Sequence, residues 1–206
     1  MHSESITRET TIVLEKISKN GIIADFYLAG GTALALQLGH RKSIDLDWFT
    51  KSSFIALDLQ KKLAALGKFE LTSETPGTIH GLLDNVRVSF FLYDYPQLFP
   101  LFLFKGVNIA DERDIAAMKL AAVSSRGSKK DFIDLYFLAE KYSLEELINF
   151  FEHKFNEIKY NRLHLLKSLV YFDDAENEPT PMMLKSINWE AVKKKIRQSA
   201  NELLKE

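Results

Sequence analysis

Two adjacent glycines, Gly30 and Gly31, lie between a short apolar run and a stretch of strong helix formers, and they constrain this chain more than any other feature. Phe26-Tyr27-Leu28-Ala29 reads as a buried strand that the glycine pair ends. Thr32 then opens Ala33-Leu34-Ala35-Leu36-Gln37-Leu38, which favours a helix. A strand that turns through glycine into a helix offers backbone without Cβ atoms, together with unsatisfied amide groups at the positive end of the helix dipole. That combination suits a phosphate. Shortly afterwards, Ile44 to Phe49 alternates apolar and acidic positions, the period of a strand with one buried face, so Asp45 and Asp47 point to the same side. Adjacent carboxylates repel unless a cation lies between them. In phosphoryl chemistry that cation is Mg²⁺ or Mn²⁺, held by one or two carboxylates and by phosphate oxygens. Taken alone, a glycine pair is usually a turn and Asp-x-Asp a solvated strand edge. Their order and spacing, with Arg41 and Ser43 between them, favour the functional reading.

A second block follows Asp111, which can cap a helix. Ile115, Met118, Ala122 and Val123 form an apolar stripe, and Asp114 falls in the acidic first turn. Lys119 and Arg126 are seven residues apart and project from similar faces if the helix runs through the Ser124-Ser125-Arg126-Gly127-Ser128 break. A lysine there can neutralise triphosphate charge, and Arg126 can add a bidentate grip. A solvated helix face is the competing reading. Lys130 and Asp134 stand at i,i+4 and can pair with each other. Asp131 and Asp134 share a helical face, where at least one can orient Lys119 or a substrate.

The run Gly-Gly-Thr-Ala-Leu-Ala, then His40-Arg41-Lys42-Ser43-Ile44-Asp45-Leu46-Asp47-Trp48-Phe49, resembles the first signature of the AbiEii/AbiGii nucleotidyltransferase toxins, a branch of the DNA polymerase β-like superfamily. Asp114 to Ala122, with Arg126-Gly127-Ser128-Lys129-Lys130-Asp131-Phe132-Ile133-Asp134-Leu135, resembles the second. The resemblance implies transfer of a nucleoside monophosphate from an NTP to an acceptor. It makes Asp45 and Asp47 the metal ligands and Lys119 the catalytic lysine, with Gly30, Gly31, Thr32, Arg41, Ser43 and Arg126 binding nucleotide and Lys130, Asp131 and Asp134 supporting. It also implies a toxin of an abortive-infection system with a cognate antitoxin, and a tRNA 3′ end as a possible acceptor.

Superfamily enzymes usually add a third carboxylate from a neighbouring strand. Here Val86-Arg87-Val88-Ser89-Phe90-Phe91 presents Arg87 and Ser89 where an acid is expected, and Asp94 lies beyond the strand end. Three readings stay open. Two carboxylates suffice, or an acid such as Asp131 or Asp134 joins them, or the chain binds nucleotide or a partner without chemistry. A transferase acting on a small-molecule or protein hydroxyl is a further alternative.

With 206 residues and 46% hydrophobic content, the chain can bury a sizeable core. No apolar run reaches the length of a membrane span, no secretory leader is evident, and no cysteine is present, so a reducing cytoplasm is the expected setting. Five scattered histidines argue against zinc. Residues 1–110 carry 11 basic and 11 acidic side chains and residues 111–206 carry 16 and 17, so neither half is a broadly basic nucleic-acid module. An RNA surface would need Arg41, Lys42, Arg126, Lys129 and Lys130 in one patch, and the run Lys193 to Arg197 is a weaker candidate. The expected fold is α+β. An N-terminal helix and a nucleotidyltransferase-like mixed sheet with helices occupy residues 1–110, and an all-helical lobe packed on them occupies 111–206, with nucleotide in the cleft. Helices are expected at 54–66, from 144 behind a Ser143-Leu144-Glu145-Glu146 capping box, at 160–172 and from 188. Strands are expected at 69–72, 78–83 and 86–93, the last two a hairpin turning at Asp84-Asn85, and a loop at 173–181.

Overall fold

A computed structural model describes residues 1–205 and divides into two compact units. The first comprises Met1–Tyr95 and Pro100–Asp111; the second comprises Pro96–Phe99 and the chain from Glu112 onward. Among the described residues, no helix is long and apolar enough to cross a membrane.

The first unit is built on a seven-stranded mixed sheet. The chain runs α1 (Arg8–Lys19), β1 (Tyr27–Ala29), α2 (Gly30–Leu38), β2 (Leu46–Thr50), α3 (Ala56–Ala64), β3 (Phe69–Thr75), β4 (Thr78–Leu83), β5 (Val86–Leu92), β6 (Phe102–Phe104) and β7 (Val107–Ile109). Strand order is β3-β4-β5-β2-β1-β7-β6. β2 pairs antiparallel with β1 and parallel with β5, which places it at the centre. Period-2 alternation sorts its side chains. Leu46 and Trp48 are fully buried beside Val88 and Phe90 of β5, while Asp47 and Phe49 take the opposite face. Burial of each large side chain such as Trp48 or Phe90 contributes roughly 1.5–3 kcal/mol. Val13, Leu14 and Ile17 of α1 and Leu59 and Leu63 of α3 are the buried positions of their helices.

Local signals explain the element ends. Thr7 caps α1 by accepting from the Thr10 amide, and α2 stops at Gly39, whose φ of 61° is left-handed. Asp84 and Asn85, both at positive φ, make the two-residue turn between β4 and β5. The hairpin of β6 and β7 was not expected. It turns at Lys105-Gly106, again with both residues at positive φ. α2 begins at Gly30, two residues before the expected start.

The second unit contains α4 (Glu112–Ser125), α5 (Lys129–Leu138), α6 (Leu144–Lys154), α7 (Arg162–Val170), α8 (Asp173–Glu176) and α9 (Trp189–Leu203). Ser143 and Glu146 form the expected capping box at α6. The expected loop after position 172 begins instead with the short helix α8. It is held where Lys129 donates to the carbonyls of Glu176 and Glu178 and where Phe132, Phe172 and Trp189 pack ring against ring. Lys129 is therefore buried, at odds with its place in an RNA-facing patch. On α4 the buried face runs through Ile115, Ala116, Lys119, Leu120 and Val123, shifted from the predicted stripe because Met118 is only half-buried.

Asp114 is fully buried on α4. Its carboxylate accepts from the amides of Leu98 and Phe99 at 3.1 and 2.9 Å and from Lys154 at 2.7 Å, and Lys154 also donates to the Pro96 carbonyl at 2.8 Å. A residue expected only to favour the helix dipole thus anchors an outlying four-residue segment of chain.

Candidate active site

The two glycines have unequal tasks. Gly30 has a φ of 67°, a conformation that carries the chain from β1 into α2 and that residues with a Cβ adopt only at a cost. A Cβ there would lie 2.9 Å from Asp47 Oδ2. At Gly31 a Cβ would lie 2.5 Å from a guanidinium nitrogen of Arg41 and 3.5 Å from Ser43 Oγ. The missing side chains thus make room for a carboxylate and a guanidinium of the chain itself, a closer relation than the sequence implied. The first-turn amides of α2 stand beside them.

Thr32 is buried, and its hydroxyl donates to the backbone carbonyl of Asp45 and lies 2.8 Å from Ser43 Oγ. The Ser43 amide donates to the Ser5 carbonyl at 2.8 Å, which ties the same loop to the N-terminal segment. Thr32 and Ser43 therefore fix the approach to β2 and set where Asp45 stands. Arg41 is 97% removed from solvent and donates to the Lys42 carbonyl at 3.1 Å. Both Asp45 and Asp47 are half-buried.

Strand register places further groups beside Asp47. Ala29, Asp47, Ser89, His80 and Ser73 occupy one row across β1, β2, β5, β4 and β3. Ser89 pairs with Asp47 in the β2–β5 register, and its hydroxyl oxygen is 3.0 Å from His80 Nδ1. The neighbouring row is aromatic: Phe49 stacks on Tyr27 at 5.9 Å and on Phe91 at 4.9 Å between ring centroids. His80 had no signal as a site residue in the sequence, since only the register of two strands brings it to Ser89.

The second motif assembles inside the second unit. Lys119 Nζ lies 2.7 Å from Asp131 Oδ1 and 2.6 Å from Asp134 Oδ2, with all three side chains buried. The Ser128 hydroxyl donates to Asp131. Burial pushes the Asp131 carboxyl up, but the Lys119 charge and the hydrogen bonds from Lys119 and Ser128 outweigh it and the repulsion of Asp134, holding the group below its ordinary value. α4 ends at Ser125 and Gly127 turns at positive φ, so Lys119 and Arg126 do not share a continuous helix. They converge nonetheless on one carboxylate, since Arg126 Nε is 3.7 Å from Asp131 Oδ2 while its side chain stays largely exposed. Asp134 turns to Lys119, and Lys130 is exposed.

The donor set suits a hard cation. Asp47 lies on β2 and Asp45 just before it, because the strand expected from Ile44 begins only at Leu46 and Ile44 is exposed; the two acids still offer carboxylate oxygens two positions apart in the chain. Among the described residues, no group of three His, Cys, Asp or Glu forms a self-sufficient cage. That leaves coordination positions for phosphate oxygens and water, as Mg²⁺ requires.

Residues 12–204 match the family described as "Nucleotidyl transferase AbiEii toxin, Type IV TA system". The uncharacterized protein aq_aa25 of Aquifex aeolicus (strain VF5) is 38% identical over 97% of this chain and 98% of its own length. Among solved structures, JHP933 from Helicobacter pylori aligns with a TM-score of 0.59 at 18% identity, covering 98% of this chain and 94% of that one. MenT4, a nucleotidyltransferase toxin from Mycobacterium tuberculosis H37Rv, aligns with a TM-score of 0.55 at 15% identity over 95% and 86% of the two chains. At these identities the structural likeness is one of fold. The family match spans nearly the whole chain and contains both motifs, so this chain belongs to the AbiEii nucleotidyl transferase toxin family.

Proposed function

We propose that this protein is a Mg²⁺-dependent nucleotidyltransferase that moves a nucleoside monophosphate from an NTP to an acceptor hydroxyl. The proposed acceptor is the 3′ end of tRNA, and the proposed setting is a toxin restrained by a cognate antitoxin. The observation that carries the reading is the fit of the Asp47 carboxylate against Gly30, one residue from the guanidinium of Arg41 over Gly31. An acidic pair, a cation and the start of a helix are thereby gathered at one turn.

Asp45 and Asp47 would hold Mg²⁺, which when bound neutralises triphosphate charge and polarises the phosphoryl oxygens. The first-turn amides of α2 receive phosphate oxygens, and Arg41 adds fixed positive charge beside them. Thr32 and Ser43 keep the Asp45 loop in place through their shared hydrogen bonds. The acceptor oxygen attacks the α-phosphorus and pyrophosphate departs. Lys119 and Arg126 are proposed to meet triphosphate charge, with Asp131 and Asp134 orienting the lysine and Lys130 in support. The two carboxylates on Lys119 favour a second reading in which it is a buried structural clamp. Lys119→Ala decides between them. A fall in transfer of about 10²-fold with an unchanged melting temperature supports the catalytic role, and a large loss of stability supports the clamp.

The test of the whole reading is incubation of the protein and its Asp45→Ala/Asp47→Ala variant with each α-³²P-labelled NTP, Mg²⁺ and total cellular RNA. Label in a tRNA-sized band only with the intact protein is the expected result. Label on protein would redirect the reading to a protein-modifying transferase. Absence of label with every NTP, despite metal-dependent nucleotide binding, would leave a binding module. Expression with and without an adjacent gene product tests the antitoxin.

A further inference from the structure

The row of side chains across the sheet continues past Asp47 to a pair that the proposed reaction has not used. Ser89 is Asp47's partner across the β2–β5 ladder, and His80 is Ser89's partner across the β5–β4 ladder. Paired residues on adjacent strands share a face, so Ser89 stands about one strand spacing, roughly 4.8 Å, from Asp47, and His80 about two. Ser89 is nearly buried, and its hydroxyl oxygen is 3.0 Å from His80 Nδ1. The imidazole is held on its other side by Phe91, with ring centroids 5.4 Å apart in an edge-on arrangement.

A serine is a weak base, and it becomes useful when a neighbour accepts its own proton. This is the logic by which a histidine activates a hydroxyl. With the ring hydrogen on Nε2, Nδ1 is an acceptor and the Ser89 hydroxyl donates to it, which leaves the Ser89 lone pairs directed away from the histidine.

We infer that the Ser89–His80 pair does the work of the missing third carboxylate: Ser89 takes the proton of the acceptor hydroxyl, and His80 is the positioning residue that lets it do so. The inference rests on the transferase reading above. As the acceptor oxygen bonds to the α-phosphorus, its O–H bond breaks and that proton passes to Ser89 Oγ, while the Ser89 proton passes to His80 Nδ1. The bond from the α-phosphorus to the bridging oxygen breaks, its electron pair leaves on pyrophosphate, and the imidazolium returns its proton to water. The substrate class follows: the acceptor group is a neutral hydroxyl that needs a base, such as a ribose hydroxyl.

The test uses Ser89→Ala and His80→Phe, the second keeping a ring against Phe91, with ATP, CTP, GTP and UTP as donors and total RNA as acceptor. Each variant is expected to lower kcat about 10²-fold while leaving the KM for NTP and Mg²⁺-dependent nucleotide binding unchanged, and the double variant is expected to fall no further than either single one. In ¹⁵N spectra, His80 of the intact protein should be the Nε2–H tautomer, and Ser89→Ala should release that preference. An unchanged kcat in either variant, multiplicative losses in the double, or loss of nucleotide binding in a folded variant would overturn the inference while leaving the transferase reading standing. An intact protein that labels nothing would remove both.

Discussion

The two units handle carboxylates in opposite ways. On the sheet, Asp45 and Asp47 stand two residues apart and half-buried, and the Asp47 carboxylate lies in the space left by the missing side chain of Gly30. In the helical unit, Asp114, Asp131 and Asp134 are buried, and each meets a lysine of the same unit within 2.7 Å. Removing an ion from water costs several kcal/mol, and the low-dielectric interior returns that only when partner and hydrogen bonds are both present. The helical unit supplies both and closes its charges internally. On the sheet the acidic pair stays half-buried. The same residue type is therefore half-buried in one unit and fully buried against a lysine in the other.

This contrast can be broken most sharply by removing one acid from each side. Asp47→Ala should lower transfer by about 10³-fold or more, measured with labelled NTP, and cost less in unfolding free energy than loss of a fully buried charge, because the site is half-exposed. Lys154→Met should do the reverse. It strands a buried Asp114 and should cost about 3–5 kcal/mol in urea unfolding. Adding Asp114→Leu should recover only part of this, since the amides of Leu98 and Phe99 lose their acceptor. A smaller effect comes from acid. Asp131 titrates below its ordinary value of 3.8 in the folded protein, so its contribution is complete above that value and is lost as pH falls through the depressed folded value. Unfolding curves from pH 6 down to pH 2 should therefore show a stability loss that Asp131→Asn makes shallower. The smallest change is Ser143→Ala, which removes the α6 cap and should cost about 1 kcal/mol by thermal unfolding without touching transfer.

How much of this was legible depended on whether a feature is local. The glycine turn, the Asp84-Asn85 turn and the Ser143–Glu146 capping box each arise from residues within a few positions of one another, and each stands where the sequence put it, whereas the strand expected from Ile44 begins only at Leu46. The face of Ser89 on its strand was also legible, because strand alternation fixes it, but its register opposite Asp47 was not. The tasks of particular side chains were not. Thr32 read as a phosphate ligand, but its hydroxyl bonds to the backbone of Asp45 and lies against Ser43, thirteen and eleven residues away. Asp134 read both as a partner of Lys130 and as a group orienting Lys119, and it turns to Lys119. Lys129 and Lys154 look like surface cations in sequence and are buried, since their partners come from residues 176–178 in one case and from 96 and 114 in the other. Nothing in a linear pattern announces a buried lysine.

The anchoring of Pro96–Phe99 by Asp114 and Lys154 has a consequence for how this protein can be taken apart. Because that short segment belongs with the helices while the chain on either side of it belongs with the sheet, the polypeptide passes from one unit to the other at 95/96, back at 99/100 and over again at 111/112. No single cut yields two intact pieces. A fragment ending at 110 would carry the anchored segment without its acid or its lysine, and the complementary fragment would bury Asp114 with its amide donors missing. As heritable material, the sheet unit and the helical unit are interleaved, so recombination at one junction cannot exchange either as a cassette, and changes to the two must be tested within one continuous gene.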